Sequence, residues 1–314
     1  MNLMALRNRP WIWSFMGAAV VWALAVILAG GHGGWSIVTT AIAFSAFTVL
    51  VGIGQMFVIT LGPGNIDLSL PANIGLASAV AMKMMDGSDP RIALGLAGAI
   101  GAGLAIGIVN YLLIRLLRIP PLIATLSSSF VIRSIGINYG NGLQIKPPPA
   151  FAHFASLRLG GISVLAVLVL LFSVVVGITL ARTVYGRSVL AVGQNMRAAR
   201  LAGISVSRVR FVTYALCGAL GGLCGALLAG FTGGSSLDVG AEYLLTSIAV
   251  VVIGGTSVAG GMANVPGLWG AALMLFLIAT LLNSSGLGIG VRDLMTGVII
   301  IAVITLAGGR RQTR

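Results

Sequence analysis

The sequence predicts an all-α polytopic membrane protein, and three observations carry that prediction. Of 314 residues, 58% are hydrophobic and 8% charged, with a mean hydropathy of +1.06. A soluble domain carries about 25% charged residues, so this chain has too little polarity to coat a water-facing globule. The apolar residues also fall in long runs: no Asp, Glu, Lys or Arg occurs from Pro10 to Ile66. Finally, 45 glycines are more than soluble helices tolerate, whereas membrane helices use small residues to bring backbones together. Only helices and closed barrels satisfy their backbones in hydrocarbon, and unbroken apolar runs of this length select the helix. The whole chain, 1–314, reads as one transmembrane domain with almost nothing outside the bilayer.

A span needs about 20 apolar residues. Polar punctuation divides the chain into about ten such segments: 12–30, 37–61, 71–85, 91–114, 121–139, 161–181, 208–231, 243–259, 265–283 and 292–308. The first lacks the short apolar core and cleavage site of a signal peptide, so it reads as a span. Segments 71–85 and 243–259 are short enough to be re-entrant. Charge decides between these options, because Lys and Arg mark cytoplasmic loops. If all ten cross and both termini are cytoplasmic, thirteen of the nineteen basic residues lie inside, and five of the six acids lie outside. If either short segment alone fails to cross, the arginines between Arg182 and Arg210, or the basic C-terminus, land outside. The net charge of +13 therefore follows from orientation. No basic block is interleaved with aromatics, so membrane lipid and not nucleic acid is the expected surrounding partner.

Cys217 and Cys224 lie seven residues apart in one apolar run. That is about 10 Å along a helix, too far for a disulfide, so both are expected as buried free thiols. His32 and His153 are isolated in expected loops, with no second ligand at metal spacing, and no metal site is expected. In 217–230, CGALGGLCGALLAG sets Gly218 and Gly222, and Gly221 and Gly225, at the small-xxx-small spacing that lets helices approach closely.

Two stretches interrupt the apolar pattern. In GPGNIDLSLP, 62–71, Ser69 is a suitable helix N-cap, Pro71 suits a first turn, and Asp67 would favour the positive end of the helix. An ionised Asp within a membrane segment costs about 2.5–3.5 kcal/mol and usually faces a cavity or a partner, so this cap also reads as a functional break. The second, GGTSVAGGMANVPG at 254–267, follows the other short segment. Paired Gly/Pro-interrupted segments in two halves of a chain point to a translocation site. The outer stretch 139–160 contains the stiff run Pro147 to Pro149 and reads as a surface loop.

The substantial inner loop is 182–210. Asn195 to Ala202 suggests a short helix, capped by Asn195 and closed by Gly203. A small helix offering arginines on the inner face is what a docking surface for a cytosolic partner requires.

Four stretches carry a resemblance. YGRSVLAVGQNMRAARLAGISV, 185–206, resembles the coupling loop of permease subunits in ribose-type ABC sugar importers. IDLS at 66–69, RIPPLIATL at 118–126 and VIGGTSVAGG at 252–261 are similar to further motifs of that family, in the family's order. Asn65 stands where the family has Gly, Leu70-Pro71 replaces Val-Gly, and Met196-Arg197 follows Asn195 where an acidic residue is frequent. The resemblance implies a multi-pass permease of the bacterial inner membrane, a transporter subunit and not an enzyme. Two such chains, a second copy or a paralogue, would enclose a pathway. Cytosolic ABC ATPases holding ATP and Mg would dock on the coupling loop, 182–210, and a solute-binding protein would deliver a sugar or polyol from outside. Gly186, Arg187, Gly193, Asn195, Ala198, Ala199, Arg200 and Gly203 are the implied coupling residues.

A sugar requires hydrogen-bonding side chains and little charge, so Gln55, Asn65, Asp67, Ser69 and Asn73 are candidates for lining the pathway. A P-loop needs Gly-Lys-Ser/Thr; neither Lys83 nor Lys146 follows a glycine. The chain is thus expected to bind no cofactor, and power must come in trans. The alternative is a proton-coupled secondary transporter of a small polar solute using Asp67. The broken helix favours it; the lack of another embedded acid counts against it. A scaffold without transport leaves both breaks unexplained.

Overall fold

The computed structural model describes residues 10–284 except 29, 32 and 141–144, together with scattered positions from 288 to 301. The described residues form α1 (Pro10–Leu28), α2 (Gly34–Thr60), α3 (Leu70–Met85), α4 (Ile92–Leu116), α5 (Pro121–Gly140) and α6 (Pro149–Ser156). A short hairpin follows, β1 (Arg158–Leu159) and β2 (Ile162–Ser163), antiparallel, with Gly160 and Gly161 at positive φ in its two-residue turn. Then come α7 (Val164–Arg182), α8 (Val184–Gln194), α9 (Met196–Leu201), α10 (Val206–Thr232), α11 (Tyr243–Ile253) and α12 (Val265–Ser284).

Helices stand on nine of the ten expected segments. The tenth, 292–308, lies largely outside the described residues, as do the basic ends with Arg7, Arg9, Arg310, Arg311 and Arg314. Among the described residues, six helices are long and apolar enough to cross a bilayer: α1, α2, α4 with the turn preceding it, α7, α10 and α12. Of the two short segments, α3 has 16 residues and α11 has 11.

The core gathers around α2 and α10. From Val49 to Leu61 α2 and its C-cap are buried on every face, as a helix that is apolar all round requires. α10 is held on three sides through glycine. A Cβ on Gly103 or Gly107 of α4 would strike the Gly218 or Tyr214 carbonyl, and one on Gly222 would strike the Ala99 carbonyl. On another side Gly221 lies against Asn73 Nδ2, 2.9 Å from where a Cβ would sit, and Gly225 against Ser78 N at 3.1 Å. On the third, a Cβ on Gly54 of α2 would lie 3.2 Å from Cys217 Cα. The small-residue spacing expected within 217–230 therefore serves two interfaces at once, and α4 answers it with Ala99, Gly103 and Gly107, four residues apart. Cys217 and Cys224 are buried free thiols.

Two expectations are corrected. The outer stretch 139–160 is not wholly a surface loop. Pro149 opens α6, the Asp89 carboxylate accepts from the Ala150 amide at 3.0 Å, and Phe151 and Ala155 are buried, the former against Gly230. A proline at the first helical position followed by Ala-Phe-Ala is the helix signal behind this difference. His153 accordingly lies in a helix and not a loop; His32 is outside the described residues.

Candidate functional site

The first break begins where α2 stops. Gly62 and Gly64 take φ of 122° and 78°, which turns the chain back toward α3. Asn65 stabilises the turn by donating from Nδ2 to the Gly62 carbonyl at 3.1 Å. Its Oδ1 accepts from Tyr214 Oη at 3.3 Å and Arg210 Nη2 at 3.4 Å, tying the break to α10. Asp67 Oδ1 accepts from the Ser69 amide at 2.9 Å, Ser69 Oγ at 2.6 Å and Asn110 Nδ2 at 3.4 Å. Asn110 Nδ2 also donates to Ser69 Oγ at 2.7 Å, and Ser128 Oγ donates to Asn110 Oδ1. Thr125 Oγ1 donates to the Ile66 carbonyl and accepts from the Leu68 amide, both at 3.1 Å.

This network decides what Asp67 does locally. Asp67, Ser69 and Asn110 are 3%, 0% and 0% exposed, and a buried carboxylate persists only with donors around it. Ser69 does stand at the N-cap of α3, as expected, but its side chain makes no capping bond there. Its hydroxyl turns back to Asp67, which takes the Ser69 amide in an Asx-type turn. Pro71 does stand in the first turn.

Three of the five candidate pathway residues, Asn65, Asp67 and Ser69, thus meet in one place. Asn73, one turn into α3, donates from Nδ2 to the Gly218 carbonyl at 2.9 Å, while its Oδ1 is buried with no hydrogen-bond partner. Gln55 is separately enclosed in α2, and both atoms of its amide are buried with no hydrogen-bond partner. Sequence reasoning missed Asn110, Thr125, Ser128, Arg210 and Tyr214. Asn110 carried a usable signal: it is the one polar side chain from Ile92 to Asn110. Arg210 had been legible only as one more inner charge.

The expected coupling loop, 182–210, is built from caps. Thr183 Oγ1 accepts from the Gly186 amide at 3.0 Å and starts α8. A Cβ on Gly186 would collide with Leu180 Cα and the Thr179 carbonyl, so this glycine permits the sharp corner after α7. Tyr185 reaches Thr213 Oγ1 of α10 at 2.9 Å, and burial pushes its hydroxyl above the ordinary tyrosine value. Asn195 Oδ1 accepts from the Arg197 and Ala198 amides, each at 3.0 Å, and Gly203, at φ 82°, closes α9. Ile204 N donates to the Ala199 carbonyl at 3.0 Å as the chain leaves. The expected short helix therefore has the expected cap and stop.

Exposure sorts its residues. Arg187, Arg197, Ala198 and Arg200 are exposed, and Ala199 is buried beneath them. Leu201, which sequence reasoning passed over, is 89% exposed. Gly193 is not part of this outer surface: a Cβ there would run into the Thr60 carbonyl and the Gly261 amide. Leu201 thus ends a short helix on which Arg197 and Arg200 are exposed as well.

Residues 36–304 match the family described as branched-chain amino acid transport system / permease component. The ribose import permease protein of Bacillus subtilis (strain 168) is 34% identical over 265 residues, 83% of this chain and 81% of that protein. The autoinducer 2 import system permease protein of Enterobacter sp. (strain 638) is 30% identical over 309 residues, 98% and 89% of the two chains. The L-arabinose ABC transporter permease protein of Azospirillum brasilense is 31% identical over 271 residues, 84% and 77%. No solved structure matches the chain. The match takes in both breaks, the buried polar network and the loop 182–210, and on that ground the chain belongs to the branched-chain amino acid transport system / permease component family, as a multi-pass protein of the bacterial inner membrane.

Proposed function

We propose that this chain is the membrane-spanning subunit of an ATP-driven importer for a sugar or polyol, working with a cytosolic ABC ATPase, a solute-binding protein on the outer side, and a second permease copy or paralogue. The observation that carries this reading is the α8–α9 element: a short helix capped at both ends, offering Arg197, Ala198, Arg200 and Leu201 outward while Tyr185 anchors its base to α10. ATP and Mg would stay on the ATPase, since the chain has no Gly-Lys-Ser/Thr stretch. Ten crossings with both termini cytoplasmic place this element inside, in keeping with the positive-inside distribution. The names of the relatives support a sugar-like solute.

In this reading ATPase closure displaces α9 as a rigid body, and α7 and α10, which flank the element, tilt with it. Gln55, Asn65, Asp67, Ser69 and Asn73 are enclosed in the conformation described here. They are read as polar lining that becomes accessible when the break opens, with amides and hydroxyls suited to a polyol. Tagging the chain, extracting it gently and identifying bound proteins by mass spectrometry tests the assembly. A stoichiometric ATPase and a solute-binding protein are expected. Recovery of the chain alone, also after crosslinking, would contradict the reading.

A further inference from the structure

Three segments far apart in sequence meet at one point. Gly193, in the last turn of α8, touches both the end of α2 and the second break, through the Thr60 carbonyl and the Gly261 amide. The Gly261 amide donates to that same Thr60 carbonyl at 2.9 Å, and Gln194 Nε2 donates to the Gly261 carbonyl at 3.4 Å. Gly260 closes the junction from the other side: a Cβ there would lie 2.7 Å from Gly62 N and 3.0 Å from the Gly193 carbonyl. Gly62, Gly260 and Gly261 have φ of 122°, 89° and 74°, a region that favours glycine. The contact is therefore backbone on backbone among four glycines.

That construction has a mechanical consequence. A contact made by long side chains absorbs a displacement by changing rotamers; one made by close-packed backbones has little slack. The second break is also tied to itself. Asn264 Nδ2 donates to the Gly254 carbonyl at 2.7 Å, the Asn264 amide to Thr256 Oγ1 at 3.2 Å, and the Ser257 amide to the Met262 carbonyl at 3.1 Å. A push at Gly261 is thus delivered to Gly254 at the end of α11. On the other side Gly62 leads directly into the Asn65–Asp67 network.

We propose that Gly193, Gly260 and Gly261 are positioning residues of the transport cycle, carrying displacement of the coupling element straight to both membrane breaks, in addition to any tilt of α7 and α10. The proposal rests on the reading of α8–α9 as the ATPase dock.

The test uses the assembled complex of permease, ATPase and solute-binding protein in lipid nanodiscs and proteoliposomes. Gly193→Ala adds one methyl group at the junction without touching the exposed face of α9. It is expected to lower uptake, and the stimulation of ATP hydrolysis by loaded binding protein, by about tenfold. Both are read per assembled complex, because the added carbon meets backbone of Thr60 and Gly261 and a lower thermal midpoint is expected beside them; ATPase binding should persist, since the exposed face of α9 is untouched. Gly177→Ala, in α7 with nothing within 4 Å of the added carbon, should change none of these. Normal uptake by an assembled Gly193→Ala complex overturns the proposal while leaving the docking reading intact; a wild-type chain that binds no ATPase overturns both. Should the variant fail to assemble, hydrogen exchange on the wild-type complex decides. On trapping with ATP and vanadate, protection in 58–64, 190–195 and 257–263 is expected to change together. A change in 190–195 with none in 257–263 overturns the proposal.

Discussion

Asp67 is held by three donors from two residues, the Ser69 amide, the Ser69 hydroxyl and the Asn110 amide. Asp67→Ala leaves the Ser69 amide and hydroxyl without their acceptor, while Asn110 Nδ2 keeps only its bond to Ser69 Oγ, and each buried donor left unpartnered costs about 1–3 kcal/mol. A clear fall in thermal midpoint of the detergent-extracted chain is the expected outcome. Asp67→Asn keeps an oxygen that accepts, so fold and uptake should survive within about threefold. Uptake abolished in a folded Asp67→Asn protein would instead favour the proton-coupled alternative. The acid was visible in the sequence as an anomaly in an oily stretch, and its helix-start setting was readable too. Its partners were not, because Asn110 and Ser128 lie 43 and 61 positions further on. Only the packing of α4 and α5 against the break brings them to it.

At the scale of elements, α9 and the α4–α10 pair make separate predictions. Leu201 is the exposed apolar tip of a helix whose caps lie elsewhere, so Leu201→Ala should weaken ATPase binding by about tenfold or more, as interface anchors do, without altering the fold. Binding of purified ATPase to the permease in nanodiscs, with circular dichroism as the control, measures this. In contrast, Gly222→Val forces α10 away from the Ala99 carbonyl of α4. Overpacking of this kind costs about 1–3 kcal/mol or more, and a lower yield of monodisperse protein on size exclusion is expected. The cap and stop of α9 were legible from sequence because Asn195 and Gly203 act on neighbours within a few residues; the Thr183 cap of α8 went unread. The buried role of Gly193 was not, since the atoms that fill its side-chain position belong to Thr60 and Gly261. The same holds for α6: its helix was hidden by a proline run that looks like loop until Phe151 is seen packed against Gly230.

For the whole molecule, composition alone revealed the membrane class, and nine expected spans coincide with helices. Orientation rests on the arginines, so it needs a measurement of its own. In a background lacking Cys217 and Cys224, a membrane-impermeant thiol reagent should label Leu201→Cys only from the cytoplasmic side and Leu159→Cys only from outside. Both side chains are well exposed, at 89% and 68%. The central claim is that the chain moves its solute with power supplied in trans. The most direct measurement is uptake of labelled sugars, ribose and arabinose first, into proteoliposomes holding the permease and its ATPase, with loaded binding protein outside. Uptake that requires ATP within the lumen accessible to the ATPase, stops with vanadate and persists when an uncoupler removes the proton gradient is the predicted result. Uptake by the permease alone, driven by a proton gradient and indifferent to ATP, would contradict it.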